Sequence, residues 1–266
     1  MKLEANVQMQ PSFVPLRGYK RLWSELAVLF RIQYAIVRDS WAWVIIMATI
    51  FPLSTTMFMY FFMDNPTEAM IIRIIAGNII FGVIVMGMNS MAQDISWQKH
   101  QGHFTYYASL PISKLNFVIA NLLRGFMSTL PSLLLLGFIG SVGYGVNFHY
   151  SWGLPIVIVL TVTSVVGIGV SIGFWSPNQQ LTNILVQALM MFVTFLSPVM
   201  IDMSQLPSVL QWISYVFPTT YAADAMRTIL VEGWTTGVLV DCIVMLGFSM
   251  ISVIVVNKLV SWRVNR

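Results

Sequence analysis

The residues with chemistry to offer are few, and most stand beside apolar runs. Asp224 and Arg227, in the segment PTTYAADAMRTIL, are three apart and can pair on one face of a helix. Arg124 and Asp241 each stand a turn or two inside an end of an apolar run, close enough to reach headgroups by snorkelling. His100 and His103 can share a helical face, but no third ligand lies nearby, so they read as loop polarity rather than a metal site. No phosphate-binding GxxxxGK[ST] motif occurs, and none of the five lysines follows a glycine. No HExxH pair occurs either. The expected inventory is therefore no catalytic, cofactor-binding or metal-ligating residue, and the chain is not expected to be an enzyme.

Composition sets the class of the elements that carry these groups. Of 266 residues 57% are hydrophobic and only 9% charged, where soluble domains carry about 25% charge. This predicts an all-α integral membrane protein with no sizeable soluble domain. The single cysteine, Cys242, excludes a disulfide framework within one chain. The net charge of +4 is spread over the ends of apolar runs and does not form a nucleic-acid footprint. Residues 1–16 hold Pro11 and Pro15 and no apolar core, so a cleavable signal peptide is not expected.

Residues 17–38 show helical amphipathicity, with Leu22, Leu26, Leu29 and Gln33 on one side and Lys20, Arg21, Glu25 and Arg31 elsewhere. Basic residues beside Trp23 suit a helix in the headgroup layer. Six apolar windows follow as predicted spans: 41–63, kinked at Pro52, then 74–93, 117–142 with Pro131 inside it, 153–175, 181–201 and 237–256. With both termini cytoplasmic, Lys2, Arg17, Lys20, Arg21, Arg31, Arg38, Lys99, Lys114, Arg124, Lys258, Arg263 and Arg266 fall on the inner side. Only Arg73 and Arg227 fall outside, and that bias sets the orientation in a plasma or inner membrane. Gly167, Gly169 and Gly173 in the fourth span allow close helix packing, most simply within one subunit.

Two connections are unusual. The inner one, from Asp94 to Asn116, contains HFTYYASL, a short helix between Gly102 and Pro111. Phe104, Tyr106 and Tyr107 are poorly placed in water and suit a partner surface, or burial against the chain's own helix ends. The outer one, 202–230, is too apolar for a loop, and Pro198, Pro207 and Pro218 interrupt it too often for a span. Each piece reaches roughly 20 Å, short of the ~30 Å hydrocarbon core. The expectation is a re-entrant pair of half-helices bent at Pro218, with Trp212, Tyr215 and Tyr221 at interfacial depth and Asp224–Arg227 fixing the second half.

These two segments carry a resemblance. Gly102–Phe126, GHFTYYASLPISKLNFVIANLLRGF, is similar to the first inner loop of the membrane subunits of type-2 ABC exporters, the ABC-2 permeases. Leu196–Leu230 resembles that family's run of a Pro, a Trp-containing helix and Pro-x-x-Tyr-x-x-x-x-x-Arg, here Pro207, Trp212, Pro218, Tyr221 and Arg227. The resemblance covers nearly the whole chain and implies one domain of six spans, an interfacial helix at 17–38, a coupling loop at 99–112 and a re-entrant pair at 202–230. It implies that Gly102, His103, Phe104, Tyr106, Tyr107, Leu110 and Pro111 face a partner ATPase. It implies that Pro207, Trp212, Tyr215, Pro218, Tyr221, Asp224 and Arg227 form an outer gate or cap. The resemblance further implies two ATPases, which would bind the ATP and Mg, and a second permease, identical or homologous. Family members often carry an acidic residue shortly before the loop glycine; here the run is Trp97-Gln98-Lys99-His100-Gln101, and the acidic residue on hand is Asp94.

The resulting reading is the permease of an ATP-driven exporter for a drug, antibiotic, lipid or peptide, closer to the drug-export branch than to the polysaccharide branch. Eighteen methionines would give adaptable apolar surfaces for such cargo, although most must face lipid and neighbouring helices. Two alternatives stay open. An ion-coupled carrier or channel acting alone needs a polar pathway through the spans, of which the sequence shows little. A non-transporting sensor subunit paired with an ATPase fits the same sequence.

Overall fold

The computed structural model describes residues 19–61, 67–109, 112–146, 148–196, 199, 203 and 206–259. Every regular element among them is helical. Helix α1 (Tyr19–Asp39) leads to α2 (Trp41–Phe61) through Ser40. Next comes one continuous rod made of α3 (Glu68–Val83), a π-helical segment (Ile84–Ser90) and α4 (Met91–His100). The short α5 (His103–Ser109) precedes α6 (Lys114–Phe138), which runs on as a π-helical segment (Ile139–Gly143). Then follow α7 (Leu154–Trp175), α8 (Gln179–Leu196), the short α9 (Ser208–Ser214), α10 (Pro218–Val231) and α11 (Thr236–Leu259).

Among the described residues five stretches are long and apolar enough to cross a membrane: Trp41–Phe58, Glu68–His100, Lys114–Gly143, Leu154–Trp175 and Thr236–Leu259. They match five of the six expected windows. The window 181–201 appears in part as α8, which is not among those five; Asn183 and Gln187 lie on its exposed side and only Thr182, Val186 and Val193 on its buried one. The rod Glu68–His100 has 33 residues and so spans about 50 Å, well beyond a ~30 Å core. The connection expected from Asp94 to Asn116 is consequently shorter, because the chain stays helical to His100 and resumes at Lys114.

The core sits where α7 threads between the rod, α10 and α11. Its glycines permit that approach. A Cβ on Gly169 would lie 2.3 Å from the Met88 carbonyl oxygen, and one on Gly173 2.7 Å from that of Ala92. Gly167 meets Ser252 of α11 in the same way. The small-residue stripe is thus used inside one chain. Helix α1 lies against α6 through Leu29 and Gln33, both fully buried, while Trp23 stays exposed.

Candidate functional site

The molecule has two ends of interest. At one, here the loop end, Gly102 takes φ +77°, a left-handed conformation that lets the chain turn sharply out of α4 and into α5. Seven residues are too few for a helix to stand alone, so the neighbours hold α5. Phe104 packs edge-on against Phe117 of α6 and Phe174 of α7, with ring centroids 5.7 and 5.3 Å apart. Tyr107 is 5% exposed and lies 5.1 Å from Phe117. Burial pushes the Tyr107 phenol above its usual range, which keeps it neutral. The outward side of α5 carries His103, Thr105 and Tyr106, the last 60% exposed, beside the exposed Trp97 of α4, whose ring meets that of His103 at 5.2 Å. The expected coupling set is therefore divided between anchors, Phe104 and Tyr107, and an open face formed by Gly102, His103 and Tyr106. Leu110 and Pro111 lie outside the described residues.

Charged side chains stitch this loop to three other elements. Lys99 Nζ donates to the carbonyls of Phe174 and Ser176, both at 2.9 Å, closing the C-terminus of α7 with a cation. The ring nitrogens of His100 lie 2.7 Å from the Ser96 carbonyl and 3.0 Å from that of Pro177. Glu25 of α1 accepts from the Ser113 N–H and from Asn116 Nδ2, both at 3.1 Å, at the start of α6. Ser113 also caps α6 by accepting from Asn116 N–H. Nothing in the spacing of Lys99 or Glu25 marks these roles.

At the opposite, hairpin end, α9 and α10 form the expected interrupted pair, bent at Pro218, with α9 only seven residues long. The bend is fastened internally: Thr220 Oγ1 donates to the Ser214 carbonyl at 2.5 Å, and the Tyr221 hydroxyl to that of Tyr215 at 3.1 Å. Helix α10 buries Pro218, Ala222, Ala225 and Ile229, whereas Pro207, Trp212 (77% exposed) and Tyr215 face outward. Two expectations need correction here. Among the described residues no ion pair joins Asp224 to Arg227; Arg227 Nη2 instead donates to the Val199 carbonyl at 2.8 Å, because α10 lies close against the segment before α9. Asp241 does not snorkel: it is 9% exposed, held inward by the packing of α11 on α10. Tyr221, Asp224, Arg227 and Asp241 line a cavity of about 600 Å³ together with Arg73 and Glu232. Residues 202, 204 and 205 of the expected pair lie outside the described residues.

Arg124 also departs from expectation. It does not reach a headgroup layer by snorkelling but is 2% exposed within the bundle, with its Nη2 3.6 Å from Asp94 Oδ2. Asp94, proposed as a stand-in for the acidic residue of the loop, faces that arginine. An arginine in an apolar window was the one available signal, since such a charge is costly without a partner.

The family model for ABC-2 type transporters matches residues 25–231, from the Glu25 that ties α1 to the loop through the last residue of α10. The chain belongs to the ABC-2 type transporter family. It is accordingly an ABC permease, a multi-pass membrane protein and a transport component rather than a catalytic one, and membership implies partnership with an ABC ATPase. No curated protein matches the chain. In this ABC-2 permease the loop lies against the C-terminal end of α7 through Phe174, and the end of α10 meets the segment leading into α7, where His149 N–H donates to the Leu230 carbonyl.

Proposed function

We propose that this chain is the membrane half of an ATP-driven exporter, in which an ABC ATPase docks on the face made by Trp97, His103, Thr105 and Tyr106. The observation that carries this reading is the way α5 hangs from the body. An exposed face is carried on buried aromatics, and side chains at its two flanks, Lys99 and Glu25, grip α7, α1 and α6. A load placed on α5 is passed to three long helices at once. ATP and Mg would be held by the ATPases, two per transporter, and a second permease, identical or homologous, would complete the pathway. ATP-driven closure of the ATPases can shift the permease only through contacts that differ between its states, and the α5 face is where such contacts can form. The cargo in this reading is lipophilic or amphipathic, a drug, antibiotic, lipid or peptide, moved outward across the cell membrane with both termini cytoplasmic.

Affinity purification from the native membrane tests it. An ABC ATPase is expected to co-purify with the wild-type chain and to be lost when Tyr106→Glu and His103→Glu are combined. A wild-type chain that purifies without any ATPase, yet moves substrate in vesicles on an ion gradient alone, would establish the carrier reading instead.

A further inference from the structure

Arg124 leaves a problem that the coupling machinery does not solve. Its guanidinium is buried in α6, and Nε and Nη2 have no hydrogen-bond partner among the described residues. The 3.6 Å separation from Asp94 is an ion-pair distance, too long for a hydrogen bond. The Asp94 side chain is itself 51% exposed and can satisfy its oxygens with water. A buried cation with two unmet donors is costly, so an acceptor is needed at this position.

There is room for one. A cavity of about 360 Å³ lies against Arg124, with Asn89, Gln93 and Ser128 adding polar groups around it. Asn89 belongs to the π-helical segment Ile84–Ser90, and such wide turns are frequent at functional sites. The opposite wall is apolar and belongs to α1 and α2, where Trp43 and Met47 line the cavity and are also exposed on the molecule's surface. The space therefore has a back that holds the Arg124 guanidinium, the Asp94 carboxylate and hydrogen-bonding groups, and an apolar mouth where Trp43 and Met47 are exposed. Water would satisfy the donors but would gain nothing from that mouth. Among the residues that line the cavity the buried, unmet groups are both guanidinium donors, whose planar fork matches the oxygens of an anion.

We propose that this cavity is a binding site for an anionic amphiphile, with a phosphate headgroup on Nε and Nη2 of Arg124 and the acyl chain leaving past Trp43 and Met47. The headgroup takes the guanidinium from Asp94, so Asp94 acts as a competitor of the ligand. This site is separate from the α5 face and does not depend on ATPase docking.

The test uses the full chain purified in a non-ionic detergent. Its thermal unfolding is followed while dihexanoyl phosphatidylglycerol, dihexanoyl phosphatidylcholine or inorganic phosphate is titrated, and native mass spectrometry counts the bound lipid. The phosphatidylglycerol is expected to stabilise the protein saturably with one molecule bound, and the other two to do so much less. Asp94→Asn should tighten the binding by on the order of tenfold, since the competing carboxylate is gone. Arg124→Gln should abolish it. Should Arg124→Gln fail to fold, Asn89→Asp, which places a negative charge in the same cavity with little change of shape, should weaken it by a similar factor. Equal effects of the two lipids, or no tightening in Asp94→Asn, would overturn the site. Equal stabilisation by inorganic phosphate would overturn the amphiphile as its ligand.

Discussion

Helices α5 and α9 are both seven residues long, sit at opposite ends of the bundle, and differ in what holds them. Helix α5 is fastened by other elements: its rings lie on α6 and α7, and its flanks are gripped by Lys99 and Glu25. Helix α9 rests on α8 and is tied by hydrogen bonds to its own sequel, through Thr220 to Ser214 and Tyr221 to Tyr215. Its Gln211 also turns back on the local Leu206 carbonyl. Neither helix would persist alone at this length, so the surroundings decide what each can do. A short helix stitched to three long ones moves them when it is pushed. One stitched to its neighbour moves with that neighbour as a unit. In the proposed reading the loop end transmits and the hairpin end responds.

The strongest way to break this contrast is to remove what both ends share. In Gly169→Leu the new side chain must enter the space of the Met88 backbone, 2.3 Å from a Cβ. The backbone cannot give way as a flexible side chain can, and overpacking of this kind costs about 1–3 kcal/mol or more. Loss of folded protein is expected, read as loss of a monodisperse peak on size exclusion in detergent.

A smaller and more selective break is Lys99→Ala. It frees the carbonyls of Phe174 and Ser176 at a cost of about 1–3 kcal/mol for a charged hydrogen-bonding group. ATPase co-purification should persist, because the exposed face of α5 is untouched, while ATP-dependent transport falls severalfold. Loss of the ATPase along with transport would mean that Lys99 supports docking, not transmission.

Thr220→Val acts on the other end. It deletes one hydrogen bond, about 1 kcal/mol, and should loosen the bend at Pro218 without changing ATPase binding. Amide exchange over α9 should rise while that over α5 stays as in the wild type. Tyr221→Phe removes only a half-exposed hydroxyl bond and should shift thermal unfolding by at most about a degree or two, an effect on the scale of a few tenths of a kcal/mol.

Much of this architecture was legible because a bilayer leaves so few options. Apolar windows marked the five long helices, Pro218 the bend, and Gly102 the turn into α5. Contacts between distant segments were not legible. Asp94 and Arg124 are joined by the packing of the rod on α6, and no periodicity within either helix reports the other's facing side. The Asp224–Arg227 pair failed for the complementary reason: the spacing of three permits a contact, but the Val199 carbonyl competes for the same guanidinium. The window 181–201 appears in part as α8, whose polar residues cluster in its first turns, and residues 197, 198, 200 and 201 of it lie outside the described residues. The π-helical segment Ile84–Ser90 left no mark in residue type, since an extra residue per turn is a tertiary accommodation.

The central claim is that movement of α5 reaches the hairpin through the body of the permease. It is tested most directly by labelling a cysteine placed at Tyr221, in a Cys242→Ala background, in the complex with its ATPase. The rate is compared with and without ATP trapped, in otherwise wild-type protein and in Lys99→Ala. The account predicts that trapped ATP changes the labelling rate at position 221, and that Lys99→Ala abolishes the change while the ATPase remains bound. An unchanged rate on trapping ATP, or the same change with and without Lys99, would contradict it.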